Sequence, residues 1–398
     1  MSQSAPPAPL TPAPLTSAMV ALFAFACGVI VANLYYSQPL IALIAPDVKL
    51  GDHAASAIVS LTQIGYVTGL LFVVPLGDLV ENKRLILIMI GLSLVSLILA
   101  ALAHSGTAAL TAAFLIGATA VAVQVLVPFA AHLADDATRG RIVGNVMGGL
   151  LFGILLSRPL SSLVADRFGW RASFWMAAGF MVLMAALLSV ALPQRRPAHD
   201  QGYFALMRSM GQLFLRYAPL RQRCLIQGSM FCAFSLFWTA SPLELARHFH
   251  LTQTGIALFA LAGAAGALAA PLSGRLADAG FGWIATLCGL ALGAVAMLLP
   301  LMPPVDAVVP LALCGIVLDA SVQTTMVQGQ RVIYALDPKS RGRINGLYMA
   351  SIFIGGAVGS ALASPLYARF GWSGIALAAG GIPLIGLLVF VLSPREKA

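Results

Sequence analysis

The sequence predicts an all-α membrane protein: 12 transmembrane helices in two pseudo-symmetric six-helix bundles. Composition points there first. Of the 398 residues, 60% are hydrophobic and 9% are charged. Soluble domains average about 45–50% apolar and about 25% charged residues, so this chain has too few charges to cover a water-facing surface. Twelve apolar runs supply the second observation, because a helix needs about 20 mostly apolar residues to cross the hydrocarbon core. An internal repeat at half the chain length is the third.

The repeat opens at Arg139-Gly140-Arg141-Ile142 and closes at Phe168-Gly169-Trp170. Its second copy opens at Arg341-Gly342-Arg343-Ile344 and closes at Phe370-Gly371-Trp372, an offset of 202 at both ends. Gly144, Met147, Gly153, Leu160, Ser162 and Arg167 fall on Gly346, Met349, Gly355, Leu362, Ser364 and Arg369. A repeat of this kind in an apolar chain belongs mainly to transporters, whose substrate site lies between the repeats near the bilayer midplane.

The predicted spans are 17–44, 54–77, 85–104, 107–132, 142–164 and 172–192, then 224–245, 252–274, 283–302, 306–330, 344–366 and 373–393. They divide the chain into a disordered Pro/Ala-rich tail (1–16), an N-terminal bundle (17–192), a linker (193–223), a C-terminal bundle (224–393) and a short tail (394–398). In the linker, Tyr203, Phe204, Leu206, Met207, Met210, Leu213, Phe214 and Leu215 alternate with Arg208, Gln212 and Arg216. That spacing predicts an amphipathic helix on the inner membrane surface, acting at least as a tether between the bundles.

Lysine and arginine prefer cytoplasmic loops. With both termini inside, 17 of them fall inside and 5 outside, with Arg158 left within a span. This predicts a multi-pass protein of the inner (plasma) membrane with cytoplasmic termini. The net charge of +9 is scattered between apolar runs and forms no patch for nucleic acid. Cys27, Cys224, Cys232, Cys288 and Cys314 lie in apolar segments without metal spacing, so they read as buried thiols, with no cofactor implied.

The loops after the second and eighth spans carry a family resemblance. Gly274-Arg275-Leu276-Ala277-Asp278 matches the first half of Gly-x-x-x-Asp-Arg-x-Gly-Arg-Arg, without its basic second half. Pro75-Leu76-Gly77-Asp78-Leu79-Val80-Glu81-Asn82-Lys83-Arg84 keeps the acid and the basic end, with Val74 in place of the first glycine. With the span count, these copies make the chain similar to the major facilitator superfamily over almost its whole length. The resemblance implies an inner gate built from Gly77, Asp78, Lys83, Arg84, Gly274 and Asp278, with Asp78 facing the start of the eleventh span near Asn345 and Gly346. Gly144, Gly148, Gly149 and Gly153, followed by Arg158-Pro159, resemble the Gly-Pro-rich fifth span of bacterial drug/proton antiporters, although the arginine expected in the fourth span is absent. Those glycines would allow close packing between the two halves.

Two ionisable groups fall inside predicted spans. Asp319 lies on the order of 16 Å from the inner end of the tenth span, near the middle of a core about 30 Å thick. A charge there costs at least about 2.5–3.5 kcal/mol, most of which protonation avoids. A carboxyl that alternates between charged and neutral is what proton coupling requires; structural hydrogen bonding is the alternative. Gln323, one turn on, shares its face. Arg158 has three open roles: it binds an anionic substrate, pairs with Asp319, or snorkels to lipid headgroups.

Further polar and aromatic groups suggest a cavity lining that suits a small, partly apolar ligand: Asn33, Tyr35, Tyr36 and Gln38 before Pro39, Gln63 and Tyr66, Gln124, then Gln227, Phe231, Ser235, Trp238 and Thr239 before Pro242. Tyr35 and Tyr36 point to different faces, so at most one lines a cavity. Pro39 and Pro242 mark possible bending points. The expected activity is proton-coupled export of a small drug-like or metabolite molecule by alternating access, by a monomer. Proton-coupled uptake of an organic anion held by Arg158 is the alternative. An HExxH, a GxSxG or a histidine cluster would point to an enzyme, a P-loop to ATP-driven transport, and a soluble output domain to a sensor; the sequence shows none of these patterns.

Overall fold

A computed structural model describes residues 16–135, 138–197, 202–263, 265–266, 269–301, 308–337 and 340–393. The two predicted tails, apart from Thr16, lie outside the described residues, as do the linker positions 198–201 and Lys339.

The described residues form helices and turns throughout. The N-terminal half holds α1 (Ser17–Ala32), α2 (Ile41–Asp47), α3 (Ala57–Phe72), α4 (Asn82–Ala101), α5 (Gly106–Thr119), α6 (Ala122–Leu133), α7 (Arg139–Phe168) and α8 (Trp170–Ala191). The linker helix is α9 (Tyr203–Arg216). Then come α10 (Ala218–Arg247), α11 (Gln253–Gly263), α12 (Ala269–Asp278), α13 (Gly282–Ala296), α14 (Val308–Leu336) and α15 (Arg341–Leu392). Among the described helical stretches, nine are long and apolar enough to cross a membrane, and Ser17–Ala32 and Gln253–Gly263 are shorter apolar helices. Large apolar side chains such as Leu92, Val182, Leu292 and Leu377 stay exposed around the outside, a surface that lipid can cover and water cannot.

The two prolines expected to bend their helices behave differently. The first predicted span breaks after Ala32 into turns and a 3-10 segment at Gln38–Leu40, so the chain bends before and at Pro39. Pro242 makes no comparable break and sits inside the continuous α10. The last two predicted spans meet within α15 at a kink, where Gly371 takes φ 61 and ψ −156. Its repeat counterpart, Gly169, takes φ 80 and ψ 160 between α7 and α8. Both copies of Phe-Gly-Trp therefore turn the chain on a backbone conformation open essentially only to glycine, which accounts for that residue in each copy.

Core packing joins the halves as well as filling them. One cluster of buried side chains runs through α1–α8 and continues onto Ile344, Tyr348 and Phe353 of α15; a second fills α10, α11, α13 and α14 and the rest of α15. At the end of the molecule carrying Asp47, Ile41, Ala45, Ala55 and Val59 pack with Leu243 across the halves. There Ser56 and Ser364 exchange two hydrogen bonds, backbone N to Oγ, at 3.0 and 3.2 Å. Arg247 donates to Asp52 at 2.8 Å beside them. The Asp47 end is thus sealed.

The glycines of the fifth predicted span do not pack between the halves, contrary to expectation. Gly149 lies against the Ala24 backbone and Gly153 against Gly28, both on α1 of the same half, while Gly144 and Gly148 face open space. The repeat explains the contact: Gly355, the counterpart of Gly153, lies in the same way against Gly228 of α10. These glycines join α7 to α1 and α15 to α10 within each half.

One smaller expectation is also corrected. Cys288 is exposed, while Cys27, Cys224, Cys232 and Cys314 are buried. The inner row of α9, Leu206, Met210 and Leu213, is buried against the protein, and Phe204 and Leu215 stay exposed. The linker helix touches both halves: the Tyr203 hydroxyl donates to the Phe72 carbonyl at 2.9 Å, and Arg343 donates to Ser209 Oγ at 2.7 Å.

Candidate functional site

Arg158 lies in the second half of α7, one residue before Pro159, and is only 7% exposed. Its side chain turns inward among aromatic rings. Its guanidinium carbon sits 5.2 Å from the Tyr35 ring centre, 5.5 Å from Phe234 and 4.8 Å from Trp238. Aromatic faces attract a cation electrostatically and do so more strongly when water is excluded. Nε donates to Gln38 Oε1 at 2.8 Å, whereas Nη2 is buried without a hydrogen-bond acceptor. A buried, unpaired donor on a charged group is costly, and a carboxylate is the group whose geometry matches a guanidinium edge.

Asp319 meets the edge of the same indole. Trp238 Nε1 donates to Asp319 Oδ1 at 2.7 Å. Among the described residues no ion pair joins Arg158 and Asp319; the indole touches both, with its face to the guanidinium and its N–H edge to the carboxylate. Space for the carboxylate comes from α11: a Cβ on Gly263 would strike the Trp238 ring and come within 3.1 Å of Asp319 Oδ2. Oδ2 accepts from no described donor.

A polar seam links this pair to both halves. Gln38, which holds Arg158, donates through Nε2 to Thr239 Oγ1 at 3.2 Å. Thr239 and Ser360 hydroxyls lie 3.3 Å apart, and Ser235 and Ser360 lie 2.7 Å apart. Gln63 closes the chain, donating through Nε2 to Ser235 Oγ at 2.8 Å and to Ser360 Oγ at 3.3 Å. Gln63 Oε1 is left buried without a donor. Side chains from α3, α7, α10 and α15 thus meet in one network at the centre of the protein.

The other residues singled out by sequence fall around or away from this centre. Tyr66 accepts from Gln124 Nε2 at 2.9 Å and packs its ring at a tilt against Phe353, and Phe231 lies against Phe234 and Phe353. Gln227 donates to the Val322 carbonyl at 3.2 Å, next to the α10–α14 packing. Gln323 is half-buried, one turn from Asp319. Asn33 is not part of the cluster: its amide points to Ser93 and Met181, inside the N-terminal half. Tyr36 is wholly buried, and its neighbour Tyr35 is the tyrosine that faces Arg158. Ser235 and Thr239, named from the sequence, join the seam, whereas sequence reasoning missed Phe234 and Ser360 as part of the site. For Phe234 the spacing from Trp238 was the available signal, since i and i+4 share a face.

At the opposite end from Asp47, a cavity of about 210 Å³ is bounded by Asp78, Gln124, Arg195, Met210, Arg343 and Gly346. Gly77 and Asp78 thus lie across a cavity from Asn345 and Gly346, the residues expected to face them. Lys83 and Arg84 are brought into no such contact. The loop is organised instead by Asn82, whose side chain donates to the Gly77 carbonyl at 2.6 Å and accepts from Arg195 at 3.0 Å. In the second copy, Gly274 faces open space, and Asp278 pairs with Arg331 of α14 at 2.7 Å, within its own half. Among the described residues no group of acidic, histidine or cysteine side chains is placed to hold a metal.

The Major Facilitator Superfamily model matches residues 17–218 and 223–398. The chain belongs to that superfamily. It is 40% identical over 377 residues to an uncharacterized transporter, YgaY, of Escherichia coli O157:H7, covering 94% of this chain and 95% of that one. It is 34% identical over 380 residues to a probable transporter, SCO4007, of Streptomyces coelicolor, covering 94% and 87%. Among solved structures, a mutant form of the nucleoside transporter NupG superposes with a TM-score of 0.73 at 13% identity, covering 94% of this chain and 99% of that one. The human organic anion transporter MFSD10 superposes at 0.67 and 15% identity, covering 93% and 98%. The chain is therefore a multi-pass membrane transporter of the major facilitator type.

Proposed function

We propose that this transporter couples protons to the movement of a small organic anion, with Arg158 as the anion's anchor and Asp319 as the group that takes the proton. The observation that carries this is the caged guanidinium with its unpaired Nη2. A second anion beside Asp319, in a site of low dielectric, is tolerated better when that carboxyl is protonated. Anion and proton therefore favour each other's binding, and linkage makes that preference mutual. Co-movement of the two down an inward proton gradient is uptake. The halves, residues 17–192 and 224–393, would rock about the polar seam in a plasma membrane with both termini cytoplasmic, as a monomer.

Export by proton exchange is the second reading, favoured by the unused Oδ2 of Asp319, where a cationic substrate would displace the proton. One assay separates them. Proteoliposomes loaded with a pH dye are given, in turn, short aliphatic and aromatic carboxylates and lipophilic cations, with empty liposomes subtracted. Uptake predicts that a carboxylate acidifies the lumen in the wild type and not in Arg158→Gln. Alkalinisation or acid release driven by a cation, unaffected by Arg158→Gln, would sink the anion reading.

A further inference from the structure

A strip of aromatic rings leads from the Asp78-end cavity to Arg158. Gln124 lines that cavity and donates to the Tyr66 hydroxyl at 2.9 Å. The Tyr66 ring lies 4.4 Å from Phe353, Phe353 lies 5.4 Å from Phe231, and Phe231 stacks on Phe234 at 4.9 Å with 18° between the planes. Phe234 and Trp238 then face the guanidinium. Tyr66, Phe353 and Trp238 are buried, but Phe231 and Phe234 keep accessible surface on a helix whose other residues from Cys232 to Leu245 are all buried. The two stacked rings are thus the part of the strip left uncovered.

Two polar atoms beside the strip have no partner: Arg158 Nη2, a donor, and Gln63 Oε1, an acceptor. Gln63 is 5% exposed and Arg158 7%. Gly356 lets Gln63 Oε1 and the Phe231 ring pack against the same stretch of α15 backbone, since a Cβ there would press on both. A ligand that satisfied both atoms would be anionic at one end, carry a hydrogen-bond donor at the other, and offer a flat face to the rings between.

We infer that the substrate class is a planar aromatic carboxylate, its carboxylate on Arg158 and its ring against Phe231 and Phe234. This rests on the anion reading of the same site and narrows it. A saturated ring of equal size fills the same volume, but offset or edge-on aromatic contacts add attraction beyond area burial. That increment corresponds to roughly a three- to tenfold preference for the aromatic ring.

The test is equilibrium binding of radiolabelled benzoate to the purified full-length protein in nanodiscs, with cyclohexanecarboxylate, benzamide and 4-hydroxybenzoate as competitors. Benzoate is expected to bind roughly three- to tenfold more tightly than cyclohexanecarboxylate, and 4-hydroxybenzoate more tightly than benzoate. Phe231→Leu should bring the benzoate preference to near unity while cyclohexanecarboxylate binding stays, and Phe231→Tyr should keep the preference; thermal unfolding of each variant checks that it is folded. Equal binding of the two carboxylates, both lost in Arg158→Gln, overturns the aromatic class and leaves the anion reading standing. Competition by neutral benzamide as strong as by benzoate overturns both. No binding of any probe at millimolar concentration overturns the aromatic class.

Discussion

Trp238 donates its indole N–H to Asp319 at 2.7 Å while its ring lies 4.8 Å from the guanidinium carbon of Arg158. One side chain thus touches both buried charges through different parts of its structure, the positive edge to the acid and the negative face to the base. The two functions can be separated by mutation. Trp238→Phe keeps a ring for Arg158 and removes the donor to Asp319; Trp238→Leu removes both. A hydrogen bond to a charged group contributes about 1.5–3 kcal/mol, so if transport is proton-coupled through Asp319, as proposed above, Trp238→Phe should slow it by about ten- to a hundredfold. Trp238→Leu should also weaken substrate binding, seen as a raised KM that Trp238→Phe lacks. Equal KM values in the two variants would mean that the ring does not support Arg158.

Much of this architecture was legible in the sequence because membrane spans and repeats are written in composition and spacing. The offset between Gly169 and Gly371 located both interhelical turns, and the family resemblance of the Asp78 loop implied that it faces Asn345 and Gly346, with which it lines one cavity. The centre was less legible. Asp319 and Arg158 stand out as charges among apolar residues, and Ser235 and Thr239 as polar groups near Trp238, but Ser360 is an ordinary helix residue until α10 and α15 are brought together. Tyr35 against Tyr36 depended on the break in the first span, which shifts the helical phase between Asn33 and Gln38. The glycines of α7 were assigned to the wrong neighbour because a small residue reports close packing without naming its partner.

Alternating access requires the sealed Asp47 end to open. The reciprocal bonds of Ser56 and Ser364, at 3.0 and 3.2 Å, mark where the halves meet there. A double variant, Ser56→Cys with Ser364→Cys, should form a disulfide under mild oxidation, since the two backbones already lie within side-chain reach. Oxidation should stop transport, and reductant should restore it. Full transport by protein shown on a gel to be completely cross-linked would mean that this contact does not separate during the cycle.

The Asp47 carboxyl is held below the usual carboxylate range by hydrogen bonds from Arg171 and from the Trp170 indole, with the Arg171 charge adding to them. Trp170 Nε1 reaches it at 2.9 Å, and Arg171 also donates to the Ala103 carbonyl at 2.9 Å. An aspartate in an unfolded chain titrates near 3.9. A depressed native value means that the contribution is present above about pH 4 and disappears as pH falls through the folded value. The effect is small for so exposed a pair. Asp47→Asn should therefore unfold at a lower temperature than wild type at neutral pH, with the gap closing below about pH 4. A gap that stays constant on acidification would show that Asp47 acts through shape rather than charge.

Gly169 and Gly371 make the last case, because the repeat gives two copies of one experiment. Both have positive φ (80 and 61) with extended ψ (160 and −156), and neither would meet a neighbour if a Cβ were added. Space is therefore not the reason for glycine at either position; backbone conformation is. An L-residue in this region costs on the order of 1–3 kcal/mol. Gly169→Ala and Gly371→Ala should each destabilise the protein by about that amount, and the double variant by nearly the sum, since the sites lie in different halves and share no partner. Thermal or denaturant unfolding in detergent reads this directly. Effects of similar size are expected at the two positions, because in each copy one glycine alone joins the two flanking helices. Losses near zero at both sites would mean that the chain turns another way once a side chain is present.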